Sequence, residues 1–482
     1  MQAPKVIIGL EIHVQLTNVL KTKLFCGCNA DYRGQEPNTF LCPVCLGLPG
    51  SLPVVNWNAI KYGIMASLAL NARVSKDTLF FRKNYYYPDM PKNFQISQYD
   101  KAGGIAISSG GYVDIEIKNK KKRIKITRIQ IEEDPGRLVH PSGSIQTSKY
   151  TLVDYNRSGI CLLEVVTEPD MESPEEARLF LQKLRSIMEH LGVDLSLQGS
   201  MRCDANISLE GGNRVEVKNI SSFKEAQRAL VFEISRQKQM FRIQKEVIQE
   251  TRHWDENSRI TISLRTKEEE QDYRYFPEPD LPPIFISEDM LSKIEKQMPE
   301  LPDARKKRFV KDFNLSEYDA SVLVSSKYLA DFFEDCAKDY NNPKAIANWL
   351  NNDILKELNK ENIEIYESKI IPSYLSEMLE MIDSGDISTK IAKKLVPKMV
   401  KEGKAPSEIA KEKNLITISE GLDEIIDTLF LEYPEAVQDA LQNEKAIRFF
   451  VGKVMKKTKS RANPELTNKI LKEKLDKQKK SI

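Results

Sequence analysis

The sequence predicts an α+β protein, with an antiparallel sheet in its first half and helices throughout its second. Three observations carry this prediction. Apolar residues alternate with period two in several separate stretches before residue 220. No regular strand-helix-strand alternation joins those stretches. From Ser287 onward Leu, Ile, Glu and Lys dominate, as in amphipathic helices. At 482 residues the chain exceeds what one core usually supports, so about two to four domains are expected.

The elements follow in order. Val6 to Leu16 alternates cleanly, with Leu10, Ile12, Val14 and Leu16 on one side and Glu11, His13 and Gln15 on the other. Side chains two apart in a strand point the same way about 6.6 Å apart, so Glu11 and His13 can address one object. Ile124 and Ile126, then Ile129 and Ile131, alternate with a phase slip that predicts a bulge. Ser173-Pro-Glu-Glu176 reads as a capping box with proline at the first helical position. It opens a helix carrying Ala177, Leu181, Leu184, Met188 and Leu191 as far as Gly192. Met201, Cys203, Ala205, Ile207 and Leu209 alternate again before the chain turns into Val215 and Val217, a hairpin. Pairing odd residues with odd requires an odd loop, Gly211 to Asn213. That loop sets Glu216 opposite Ser208, about 13 Å along the strand from Asp204. A further helix is expected after Ser222, running to about Arg252. Pro279 to Pro283 marks a domain boundary, and Glu402-Gly-Lys-Ala-Pro406 a second break.

Composition excludes several classes. Apolar content of 41%, charged content of 29% and a mean hydropathy of -0.44, with no apolar run of membrane length, exclude a membrane span. The amino terminus has no basic stretch leading an apolar one, so a reducing cytosol is expected. Net charge is only +2, yet Val451 to Ile482 carries 11 Lys or Arg against three acids. Such a tail suits a polyanion, or is simply a solvated face. No P-loop and no dinucleotide-binding glycine motif occurs, and four histidines support neither a His-rich metal centre nor a Ser-His-Asp apparatus.

Two clusters carry chemistry. Cys26-Gly-Cys28 and Cys42-Pro-Val-Cys45, thirteen residues apart, can meet tetrahedrally on a structural Zn²⁺. Reduced buried thiols or oxidised pairs are the other uses. Cys161, Cys203 and Cys336 stand alone and read as core. Acids recur on strand faces: Glu11 beside His13, Glu133 in the run ending at Pro135, Glu164 in an apolar strand, Asp204, and Glu216. Several oxygens plus one imidazole, with lysines nearby, suit Mg²⁺ and phosphate better than a soft metal. Pairing of each acid with a surface lysine is the alternative.

The residues also carry a resemblance. GLEIHVQL, PNTFLCPVCLGLPGSLPVVN, FRKNYYYPDMPKNFQISQYD, IEEDPG, EPDMESPEEA, MRCDANIS, EVKNISSF and DYRYFPEPDLPP occur in that order within the first 283 residues. Together with NWLNND, STKIAKK and FFVGKVMKKTK further on, they closely resemble the B subunits of the glutamyl/aspartyl-tRNA amidotransferase. The resemblance implies an antiparallel cradle domain (1–293), a helical domain (294–405) and a small helical tail (406–482) that helps grip tRNA. It implies an ATP- and Mg²⁺-dependent ligase, working in the cytoplasm. It also implies a heterotrimer with an amidase (A) subunit and a small C subunit, acting on misacylated tRNA. Matching motifs make Glu11, His13, Glu133, Asp204 and Glu216 the catalytic group. Glu11, His13, Glu133 and Asp204 would be on magnesium, with Glu164 a further candidate, and Lys83 and Lys218 on phosphate. Tyr85, Tyr86 and Tyr87 would line the pocket, and Asp272 to Pro277 would be architectural. Lys456, Lys457 and Lys459 would contact tRNA phosphates. Gln130 departs from the histidine or asparagine common in relatives. A noncatalytic tRNA-binding scaffold and the archaeal relative specific for Glu-tRNA(Gln) are the competing readings.

Overall fold

The computed structural model describes residues 4–479 apart from 100–102, 119, 144–147, 197–198, 221, 267–272, 414, 416–420, 444–445, 459–461 and 463. The chain divides into two compact units, Met1–Pro302 and Asp303–Ile482.

In the first unit the alternating stretches are strands: β1 (Val6–Gln15), β2 (Phe81–Asn84), β3 (Phe94–Ser97), β4 (Lys120–Glu133), β5 (Cys161–Thr167), β6 (Met201–Leu209), β7 (Val215–Ile220), β8 (Glu250–Asp255), β9 (Ile260–Thr266) and β10 (Phe276–Pro277). They follow the order β9-β8-β7-β6-β1-β5-β4-β3-β2-β10 in one sheet. Neighbours are antiparallel except β7 and β8, which run parallel. β1 is central, and its Ile8, Leu10, Ile12 and Val14 are buried in the core. That apolar face is covered by α1 (Trp57–Ala69), α2 (Pro174–His190) and α3 (Phe223–Arg242), whose Ile64, Leu184 and Leu230 join the same cluster. α1 passes so close that a Cβ on Gly63 would stand 2.7 Å from Ile131 Cδ1. With helices on one face, the even-spaced polar residues of the other face are left to line a site.

Local signals explain most boundaries. Ser173 caps α2 by accepting from the Glu176 amide, and the Glu176 carboxylate reaches back to the Glu172 amide at 2.7 Å. Between β4 and β5, Arg128 pairs with Val166 and Ile126 with Thr167, so Thr127 is the extra residue of the expected bulge. It lets Ile124, Ile126, Ile129 and Ile131 all reach the core although their parity changes.

Two expectations are corrected. Odd residues do pair with odd across the β6–β7 hairpin, but Ala205 faces Val217 and Asn206 faces Glu216. Each β7 residue there therefore pairs two positions earlier on β6 than the Gly211–Asn213 loop implied. Glu216 lies one like-facing position from Asp204, about 6.6 Å rather than 13. α3 also ends at Arg242, well short of Arg252. Gln244 turns left-handed at φ +54, and the chain resumes as β8, burying Thr251 and Trp254. Those two buried residues are three apart, a spacing that a helix also gives, because the strand slips register between Thr251 and Arg252, so the helical reading ran through them.

In the second unit every named element is helical. It holds two apolar cores, one built from Phe309 to Ala410 and one from Leu422 to Leu475. Helix Thr389–Glu402 stops at Gly403, left-handed at φ +67, and helix Pro406–Glu412 returns Ile409 and Ala410 to the first core. The break read at 402–406 is thus a turn within that core. Among the described residues no helix is long and apolar enough to cross a membrane.

Candidate metal and phosphate site on the open sheet face

Cross-strand register assembles the site. On β1, Glu11 stands directly opposite Asp204 of β6, and His13 stands between Arg202 of β6 and Glu164 of β5. Glu164 in turn faces Gln130 of β4, and Glu132 faces Ser97 of β3. His13 Nε2 lies 3.2 Å from Glu132 Oε1, 3.8 Å from Glu164 Oε2 and 3.9 Å from Glu11 Oε1. Glu11, His13 and Glu164 each offer a ligand atom within 4.8 Å of the others, close enough to share one cation.

The charges are tightly balanced. Burial alone would lower the His13 pKa, but the hydrogen bond and charge of Glu132, with Glu164 and Glu11 behind it, raise it to about 9. Glu164 is pushed up to about 8 by burial and then by the Glu11 and Glu132 charges. Burial opposes ionisation of Glu132 too, yet His13, then Lys83, hold its carboxyl below the usual range. Gln130 Nε2 donates to Glu164 Oε2 at 2.7 Å. On the β7 side, Lys218 Nζ lies 3.0 Å from Asp204 Oδ2 and 3.5 Å from Glu216 Oε1. Against the pull of burial, Asp204, Glu216 and Glu11 raise its pKa. Glu216 also accepts from Thr251 Oγ1 at 2.9 Å. At the lower end of β1, buried Asp134 takes both bonds of Arg202 at 2.8 and 2.9 Å and one from Gln15 at 2.6 Å.

Glu11, His13, Asp204, Glu216, Glu164, Lys218 and Lys83 therefore share one face. Glu133 does not join them. It pairs with Cys161, whose side chain is in the core, and its carboxylate accepts from Lys92 Nζ at 2.5 Å and from the Ile96 amide at 2.9 Å. The residue reaching His13 is its neighbour Glu132. Ile129 and Ile131 point to the core, so strand alternation puts Gln130, Glu132 and Asp134 on the open side. That parity was in the sequence and singles out Glu132 over Glu133. The same parity puts Arg202 and Asp134 on that side, but their pairing was not readable before the register was known.

The second cluster lies in the segment between β1 and α1. Cys26, Cys28, Cys42 and Cys45 place their sulfurs within 4.8 Å of one another. Four thiolates on Zn²⁺ at 2.3 Å stand about 3.8 Å apart, so this donor set fits a closed zinc site. Cys45 Sγ accepts from the Cys42 amide at 3.2 Å. Its pKa is lowered, by the hydrogen bond from Cys26 first and by the charge of Lys23 against burial, while Cys26 and Cys28 are raised. Gly47, left-handed at φ +66, closes the second knuckle against Lys92, where a Cβ would stand 2.6 Å from Lys92 Cγ.

A sheet face that gathers carboxylates, one imidazole and flanking lysines offers the ligand types that suit a hard cation and phosphate. Residues 6–292 match the family described as the GatB/GatE catalytic domain, and residues 331–475 match the GatB domain. The chain belongs to this GatB family. It is 53% identical over 468 residues to the B subunit of the aspartyl/glutamyl-tRNA(Asn/Gln) amidotransferase of Sulfurisphaera tokodaii, covering 96% of this chain and 98% of that one. The similarly named protein of Carboxydothermus hydrogenoformans is 49% identical over 488 residues, covering 99% and 100%. That of Thermotoga maritima is 48% identical over 481 residues, covering 98% of each.

Proposed function

We propose that this chain activates and amidates the side-chain carboxylate of an aminoacyl-tRNA. Membership of the family makes it a subunit of a tRNA-dependent amidotransferase, a ligase of protein biosynthesis. A carboxylate resists ammonia because its departing oxygen is unactivated. Its oxygen attacks the γ-phosphorus of ATP, the bond to the β-phosphate oxygen breaks, and ADP leaves. Ammonia then attacks the acyl carbon, phosphate departs, and the nitrogen's surplus proton is released, giving Gln-tRNA(Gln) or Asn-tRNA(Asn). Mg²⁺, when bound, would neutralise phosphate charge. Glu11, His13 and Glu164 would hold it, with Glu132 orienting the imidazole and Asp204 and Glu216 setting Lys218. Lys218 and Lys83 flank the acids from opposite sides, where phosphate oxygens need positive charge.

Ammonia would come from glutamine through an amidase (A) subunit, with a small C subunit completing a cytoplasmic heterotrimer, and zinc would be structural. The observation that carries this reading is the direct cross-strand opposition of Asp204, Glu11, His13 and Glu164. A noncatalytic scaffold has no need of it. The relatives above align along 98% or more of their own length, so they leave no unmatched inserted domain of the kind expected in the Glu-tRNA(Gln)-specific relative. The test withholds ammonia from the assembled complex and supplies γ-labelled ATP with Glu-tRNA(Gln). Label on the aminoacyl group is expected; its absence removes the kinase reading.

The carboxy-terminal helices would grip tRNA. Lys456 lies in the last turn of helix Ile447–Lys457, and Lys457 pairs with Glu432 at 2.6 Å. Lys459 lies outside the described residues. Removing 451–482 would strip Val454, Leu471 and Leu475 from the tail's core, so a point change is the cleaner probe. Lys456→Ala should weaken tRNA binding and lower the slope of log affinity against log salt by about one. An unchanged slope denies this lysine a phosphate contact.

A further inference from the structure

Four tyrosines from distant segments meet beside the acids. Tyr85 follows β2, Tyr99 follows β3, and Tyr273 and Tyr275 precede β10. The rings of Tyr99 and Tyr275 stack with centroids 4.9 Å apart, and Tyr273 lies 5.9 Å from Tyr275 and 6.2 Å from Tyr85. Lys83 Nζ stands 4.8 Å from the Tyr273 ring centre, and the Arg128 guanidinium 5.2 Å from that of Tyr99. Arg128 also lies 3.8 Å from Glu164, which ties the rings to the His13 cluster. Burial raises the Tyr275 phenol first, followed by Tyr99, Tyr273, Glu132 and Glu164, so this ring sits in the acids' field.

A second observation comes from the backbone. Arg274, between the two later tyrosines, is left-handed at φ +44 and exposed. A residue with a Cβ is uncommon there and is held only where its surroundings impose it. Asn84 Nδ2 imposes it by donating to both the Tyr273 carbonyl (3.2 Å) and the Arg274 carbonyl (2.8 Å). Arg82 locks the same segment through Glu278 at 2.6 and 2.7 Å. A core would be served by phenylalanine and leucine. Half-buried phenols, cations over three of the rings and an arginine held out to solvent form a π surface with positive charge at its edge. That combination recognises a nucleobase followed by its phosphate.

We propose that this tyrosine wall seats an adenine, with Arg274 on the adjoining phosphate. The inference rests on the function proposed above, in which two substrates carry that base: ATP, and the tRNA whose terminal adenosine bears the amino acid. Of the segment 272–277, read from sequence as architectural, residues 273–277 would then shape the substrate site; Asp272 lies outside the described residues.

The test uses the assembled complex and measures KM for ATP and for Glu-tRNA(Gln) separately. Tyr275→Leu should raise one of them at least about fivefold, the lower end of what one base stack contributes, while Tyr275→Phe stays within about twofold. A rise confined to ATP assigns the wall to the nucleotide, and one confined to tRNA assigns it to the terminal adenosine. Both KM values unchanged, or Phe as damaging as Leu, overturns the wall. Should Tyr275→Leu fail to fold, Arg274→Gly suits the left-handed backbone and removes the exposed charged side chain. An unchanged KM for both substrates in that variant overturns the proposal equally. Glu11→Ala, run alongside, should abolish amide formation with glutamine hydrolysis retained. If it does not, the site assignment fails, independently of the tyrosines.

Discussion

Glu132→Ala in the assembled complex is expected to lower the kcat of amide formation by at least about a hundredfold, with glutamine hydrolysis still running. Glu132 is buried and charged, and its oxygen 3.2 Å from His13 Nε2 is the closest carboxylate contact that imidazole has. Without it the ring loses both its orientation and the largest charge raising its pKa, so a cation would meet a mobile ligand. The neighbouring change separates this from general damage. Glu133→Ala leaves the Lys92 ammonium, 8% exposed, without its carboxylate, and should cost about 3–5 kcal/mol of stability. Thermal melting and steady-state amidation on the two variants read the two effects apart. Full activity in Glu132→Ala, with a folded Glu133→Ala inactive, would reinstate the assignment made from the motif.

That contrast marks how far the sequence could be read. Alternation from Val6 to Leu16 was enough to place Glu11 and His13 on the open face, because a two-residue period has only two outcomes. The same rule, applied after the slip at Thr127, puts Gln130 and Glu132 beside them. Which acids lie opposite each other was less legible, since register depends on turns. A two-residue offset of the β6–β7 register brought Glu216 closer to Asp204 and let Lys218 Nζ reach Asp204 Oδ2 at 3.0 Å. The tyrosine wall was not legible at all. Tyr99 and Tyr275 are 176 positions apart, and nothing local states that β10 folds back onto β2. The end of α3 was missed for a local reason: a long amphipathic pattern hides a left-handed stop at Gln244, a residue less common there than glycine.

Cys45→Ser is expected to remove one zinc per chain and to lower the melting temperature of the amino-terminal unit by roughly 10 °C. Lys23 is fully buried. Its ammonium donates to the carbonyls of Phe40 at 2.9 Å and Tyr155 at 3.5 Å, and its charge acts on the Cys45 sulfur. Carbonyl dipoles alone are poor compensation for a buried cation, whereas four thiolates on Zn²⁺ leave a net charge of about minus two beside it. Serine cannot supply that thiolate, so the variant would lose the proposed zinc and strand the lysine together. The damage should spread toward the acids. Gly47 of the second knuckle packs on Lys92, and Gly159 sits between Lys23, Cys45 and Glu133. Metal content by elemental analysis and a melting curve check both parts. A Cys45→Ser chain that keeps its zinc and its melting temperature would mean that the four sulfurs are ordinary buried thiols and that Lys23 is neutralised by carbonyls alone.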